Sequence, residues 1–270
     1  MASHAAPGRG HPYDTLTSVI QRNLSYDPDI RARQFDFMRP AGEDVVPLVV
    51  LIHGGGWISG DRSSFESELP FFVEQGLACA TISYRLAPLY PFPAAVSDVL
   101  AFIRHARTHA GELGIDPSGI VVMGNSAGGH LACMAGLCTS DPATGETVQP
   151  ANGVVSICAI TDLREPETNH FPIAASFLEQ FMGGWIGGQE DKWALASPIY
   201  HVAEGAPPFL IFHGTEDSIV PTAHSQHLYA ALCQAGVPAE LHVLPGEEHG
   251  FTFDAWMKMR DMAAEFARTV

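Results

Sequence analysis

What most restricts the fold is a series of short apolar runs separated by longer stretches of helical periodicity. The runs are "VPLVVLIH" (Val46–His53), "LACATIS" (Leu77–Ser83), "GIVVMG" (Gly119–Gly124), "GVVSICAI" (Gly153–Ile160), "PFLIFHG" (Pro208–Gly214) and "AELHVLP" (Ala239–Pro245). Most are continuously apolar, as strands covered on both faces should be. "RQFDFMR" (Arg33–Arg39) alternates instead, the pattern of an edge strand. Between the runs, Val96, Leu100, Ile103 and Ala106 recur at helical spacing behind Pro93. "SAGGHLACMAGLC" and "DAWMKMRDMAAEFARTV" read the same way, and "TAHSQHLYAALCQAG" is stopped by Gly236 and Pro238. Strands alternating with helices predict an α/β fold: a mostly parallel central sheet flanked by helices on both faces. Ligands in such folds bind beyond the carboxyl ends of the strands.

A chain of 270 residues with this pattern is read as one domain over 1–270, with an N-terminal extension over 1–32 and a small lid insertion over 161–196. The formal charge of −16, with no basic cluster, argues against a nucleic-acid partner. No apolar run reaches the length of a membrane span. Five scattered cysteines without a C-x-x-C pair suggest free thiols in a reducing compartment. The opening "MASHAAPGRGHPYD" lacks the apolar core of a secretory signal, so the expected location is cytoplasmic, with a processed secreted form as the alternative. Spacing marks no dimer surface.

"IVVMGNSAGGHLA" sets Gly124-Asn125-Ser126-Ala127-Gly128 between an apolar strand and a helix. This is G-x-S-x-G in the strand–turn–helix context that lifts a serine hydroxyl out of a sheet. It matches neither G-x-G-x-x-G nor a phosphate-binding loop with its lysine. A serine needs a base to become nucleophilic. Among thirteen histidines, His249 in "LPGEEHGF" follows the last strand, and Asp217 in "FHGTEDSIVP" follows the one before. The order Ser126, Asp217, His249 is that of a nucleophile–acid–base triad on such a sheet. Asp162 in "ITDL" is a rival acid, Glu216 a weaker one, and Glu247 and Glu248 are candidates for raising the pKa of His249. The glycines of "VVLIHGGGWISGD" then acquire a purpose: Gly55 and Gly56, with Ala127, offer backbone N–H groups to an oxyanion. His53 is expected to brace this loop, and Trp57 to touch substrate.

These segments, with "ISYRLAPLYPFPAAVSDVLAFI" and "ASPIYHV", resemble α/β-hydrolases of the hormone-sensitive-lipase-like type, closest to the bacterial feruloyl/acetyl-xylan esterase-like branch. The likeness runs from about Asp36 to the C-terminus. It implies Ser126, Asp217 and His249 as triad, Gly55, Gly56 and Ala127 as oxyanion hole, and no cofactor; no metal is expected, since the cysteines lack the spacing of a zinc site. The implied activity is serine carboxylester hydrolysis of a small-molecule ester. Carbohydrate esterase, aryl formamidase, lactonase and oligopeptidase share the triad; a binding-only receptor, such as the plant gibberellin receptor, uses the same fold without the base. Asn125 and Leu89 stand where relatives commonly carry acidic residues. The insertion's aromatics, Phe171, Phe177, Phe181 and Trp185, are candidates for a pocket wall.

Overall fold

In the computed structural model, which describes residues 19–164, 171–185 and 187–270, eight strands form one sheet. They are β1 (Gln21–Ser25), β2 (Gln34–Met38), β3 (Val46–Ile52), β4 (Ala78–Ile82), β5 (Ile115–Asn125), β6 (Gly153–Ile157), β7 (Phe209–Gly214) and β8 (Ala239–Leu244). The order across the sheet is β1-β2-β4-β3-β5-β6-β7-β8. Neighbours from β4 onward are parallel, whereas β2 pairs antiparallel with both β1 and β4.

The side chains of β3 explain why its run is apolar throughout. Leu48, Val50 and Ile52 enter the core on one face, against α2 (Ala94–Thr108) and α4 (Ala127–Leu137). Val49 and Leu51 enter the other, with α1 (Leu69–Glu74) and α8 (Phe253–Thr269). A period-two backbone between two helical layers leaves neither side for polar groups. The remaining helices are α3 (Ala110–Leu113), α5 (Pro172–Met182), α6 (Glu190–Leu195) and α7 (Ala223–Gln234). Among the described residues no helix is long and apolar enough to cross a membrane.

Two expectations at the N-terminal side are corrected. The strand in "RQFDFMR" is not at the edge, because β1 pairs outside it. Part of the expected extension over 1–32 therefore belongs to the sheet, and residues 1–18 lie outside the described residues. β1 escaped notice because "QRNLS" is polar and mostly solvent-facing, and only its pairing makes it a strand. The parallel arrangement from β3 to β8 brings the loops after β3, β5, β6, β7 and β8 to one edge of the sheet, where the predicted residues lie.

Candidate active site

Ser126 occupies the turn between β5 and α4 at φ 55°, ψ −123°, outside the regions that L-residues favour. Such a conformation costs about 1–3 kcal/mol and persists only when its surroundings impose it. Here they do so through close backbone packing. A Cβ on Gly128 would lie 2.0 Å from the Ile52 carbonyl oxygen, and one on Gly124 would lie 2.3 Å from that of Gly128. The turn, the start of α4 and the end of β3 therefore touch main chain to main chain.

The structure brings Asp217 and His249 together: His249 Nδ1 donates to Asp217 Oδ2 at 2.7 Å. The other carboxylate oxygen accepts from the backbone N–H of Ile219 at 2.9 Å and of Val220 at 2.8 Å. His213 Nε2 lies 3.3 Å from Asp217 Oδ2 and 3.0 Å from the Val220 carbonyl, so that nitrogen carries a proton shared between two acceptors. Burial raises the Asp217 pKa, but the hydrogen bonds from His213, His249 and Val220 outweigh it and hold the carboxyl well below the usual carboxylate range. With Nδ1 of His249 donating to Asp217, its Nε2 is the bare nitrogen able to accept a proton.

Ser126 and His249 line the same cavity, of about 380 Å³, together with Gly55 and Gly56. Ile160, Phe177, Leu178 and Val220 give it an apolar lining. In the glycine loop, Gly55 has φ 103°, and a Cβ there would lie 2.4 Å from the Ser59 carbonyl oxygen. The Gly55 carbonyl accepts from the N–H of Ile58 and of Ser59, both at 3.1 Å, and is thereby turned into the loop. Among the described residues no acceptor engages the N–H of Gly55, Gly56 or Ala127. His53 braces the loop: Nδ1 bonds the Gly54 carbonyl at 2.8 Å, and its ring stacks on Tyr84 at 4.2 Å. Burial lowers the pKa of His53 and favours its neutral form.

Other expectations are revised. Trp57 borders the cavity but is only 2 % exposed; its ring stacks on Phe181 at 4.4 Å and its Nε1 donates to His130 Nδ1 at 3.1 Å. Of the insertion's aromatics, Phe177 lines the cavity, Phe181 is buried behind Trp57, and Phe171 and Trp185 remain 39 % and 38 % exposed. Asp162 is taken up by Tyr200, whose hydroxyl donates to it at 2.8 Å, and by the N–H of Arg164 at 3.0 Å. Glu247 accepts from the backbone N–H of Thr252 at 2.6 Å and from its hydroxyl at 2.7 Å, at the start of α8. Those bonds lower its own pKa, and its carboxylate serves Thr252 instead of His249. Leu89 lines a neighbouring groove beside Arg85 and Tyr90, whereas Asn125 does border the Ser126 cavity.

His130, His213 and Cys158 were missed, since a buried histidine or cysteine has no mark that separates it from others of its kind. Cys158 packs beneath the pair, with Sγ 3.9 Å from the His249 carbonyl, and burial raises its thiol pKa. Cys158, Asp217 and His249 present potential ligand atoms within 4.8 Å of one another. The donor chemistry does not suit a metal: the thiol is held protonated, and the carboxylate and imidazole are satisfied by each other.

The sheet order, the strained turn after β5 and the loops at the following strand ends are those of the α/β-hydrolase fold. Within that class the chain belongs to the BD-FAE family, whose model matches residues 35–232. Esterase LipQ of Mycobacterium tuberculosis is 33% identical over 267 residues, covering 95% of this chain and 62% of LipQ. Esterase LipC of the same organism is 32% identical over 217 residues, covering 76% of this chain and 53% of LipC. The chain thus spans between half and two thirds of the length of these relatives. Among solved structures, a truncated carbohydrate esterase from gut microbiota superposes with a TM-score of 0.80 at 25% identity, covering 95% of this chain and 99% of that one. Thermogutta terrifontis esterase 2 phosphonylated by sarin gives 0.79 at 29% identity, covering 92% and 93%.

Proposed function

We propose that the chain is a serine carboxylesterase acting on small to moderate carboxylic esters. Ser126 is the nucleophile, His249 the base, Asp217 its orienting acid, and the N–H groups of Gly55, Gly56 and Ala127 the oxyanion hole. The observation that carries this reading is the 2.7 Å bond from His249 to Asp217, made by an imidazole on the cavity that Ser126 lines. Ser126 Oγ attacks the ester carbonyl carbon while its proton passes to His249 Nε2. The carbonyl π electrons move to oxygen, and the resulting anion is met by N–H groups that no acceptor engages among the described residues. The C–O bond to the alcohol then breaks, and the alcohol leaves with the proton from His249. Water repeats the cycle on the acyl-enzyme and releases the acid.

The names of the relatives support an ester bond as the target, and the sarin adduct of a similar fold supports nucleophilic attack. The five cysteines, all unpaired, support a reducing compartment as the place of action. The apolar cavity favours a hydrocarbon acyl group over a sugar as its occupant.

Nitrophenyl esters graded from acetyl to octanoyl test this, with Ser126→Ala beside the parent. The parent should turn over the shorter esters, and the variant should lose about 10⁴-fold or more in kcat. No turnover by the parent on any ester would favour a binding protein, and turnover surviving in the variant would name the wrong nucleophile.

A further inference from the structure

His130 stands one helical turn after Ser126, and its backbone N–H donates to the Ser126 carbonyl at 2.9 Å. Its side chain is fully buried and satisfied at both nitrogens. The Ala196 carbonyl, 2.8 Å from Nε2, can only accept, so Nε2 carries the proton. Trp57 Nε1 can only donate, so Nδ1, 3.1 Å away, is the bare acceptor. The two partners dictate one neutral tautomer, and burial agrees by lowering the pKa to about 4.

Trp57 directly follows Gly56 and is held at φ 61°. Its indole stacks on Phe181, and its carbonyl accepts from the Ala87 N–H at 2.9 Å. The side-chain bond to His130 joins this loop to the helix that carries Ser126 and Ala127. The two halves of the oxyanion hole come from segments about seventy residues apart, and this bond ties one to the other.

We propose that His130 is a positioning residue that, through its hydrogen bond to Trp57, holds the Gly55 and Gly56 N–H groups in register with Ser126 and Ala127. The inference rests on the oxyanion-hole reading above. It implies that breaking the bond weakens stabilisation of the tetrahedral intermediate more than binding of the ester. Small misplacements of such groups cost up to about 10²-fold in rate.

The test compares three variants with the parent on nitrophenyl acetate, with methylboronic acid as a probe that forms an anionic tetrahedral adduct. His130→Leu removes both hydrogen bonds. His130→Asn puts a carbonyl oxygen near the place of Nδ1, so it restores the Trp57 acceptor without the Ala196 donor. Trp57→Phe breaks the same bond from the other side and serves if His130→Leu does not fold. His130→Leu and Trp57→Phe should each lower kcat by about 10- to 100-fold and weaken boronate inhibition in parallel, with KM within about twofold. His130→Asn should recover most of the lost kcat, and the double variant His130→Leu/Trp57→Phe should be no worse than the poorer single one. Parental kcat in folded His130→Leu or Trp57→Phe overturns the inference, as does an Asn variant as poor as Leu, or a loss confined to KM. A parent that neither turns over esters nor binds boronate overturns the esterase reading itself.

Discussion

A methyl group on the Cα of Gly128 would lie 2.0 Å from the carbonyl oxygen of Ile52, so helix α4 meets the end of β3 with no room for a side chain. Both sides of that contact are backbone, and neither can turn aside. Gly128→Ala should therefore destabilise by about 3 kcal/mol, the upper end for overpacking, lowering Tm by roughly 6–12 °C. Gly111→Ala is the control, since a Cβ there meets nothing within 4 Å. It should be neutral or slightly stabilising, because alanine is the better helix former. Equal melting temperatures for the two variants would contradict the close approach.

The strain at Ser126 predicts a trade of stability against activity. At φ 55°, ψ −123° a glycine is at ease where a serine is not. Ser126→Gly should be inactive and melt higher than Ser126→Ala, by about 1 kcal/mol in stability. Thermal unfolding of the two side by side decides it, and a Gly variant less stable than Ala would show that the turn stores no strain.

Asp217 gives a pH dependence with a definite sign. In the folded chain its carboxyl ionises well below the usual range because His213, His249 and Val220 hydrogen-bond the charged form. Unfolded, it takes up a proton near pH 4. As pH falls the unfolded state is therefore protonated first, and the stability that Asp217 contributes above about pH 4 is lost toward the lower folded value. Asp217→Asn should thus cost most stability near neutrality, with the gap in Tm closing below about pH 4. It should also reduce kcat by about 10⁴-fold, since an amide permits the wrong imidazole tautomer. A gap in Tm constant from pH 3 to 7, or kcat within tenfold of the parent, would count against this account of the pair.

Phe177 predicts acyl-length selection. Its ring lines the cavity and is so close to the glycine loop that a Cβ on Gly56 would meet it at 3.0 Å. Phe177→Ala opens space beside the candidate oxyanion hole and should move the preferred nitrophenyl ester toward longer acyl chains. The value of kcat/KM for octanoate over acetate should rise by about tenfold or more, as each added methylene finds apolar surface. An unchanged chain-length profile would place the acyl group elsewhere.

Much of the fold was legible because its cause is local. The continuous runs of β3 to β7 are apolar since both faces of each strand are covered, and α2, α4, α7 and α8 fall where helical spacing put them. What failed to show was β1, whose "QRNLS" has no apolar signature and is a strand only through its pairing with β2. At the candidate site, Gly128 and Gly55 announced themselves because close backbone approach leaves no other residue possible. Trp57 was harder to place. Its place beside the glycine loop gives no sign in sequence that, while bordering the cavity, it stacks on Phe181 and bonds His130.

Chain order and residue type were enough to nominate a serine, an acid and a base after β5, β7 and β8, because strand ends and turn glycines are encoded within a few neighbours. Tertiary structure decided the rest: that Asp162 goes to Tyr200, that Glu247 goes to Thr252, and that Ile160, Phe177 and Val220 wall one cavity. Hydrogen bonds and apolar contacts are made at a few ångströms between groups far apart in the chain. Their partners follow from how helices and loops settle on the sheet, which no spacing along the backbone records.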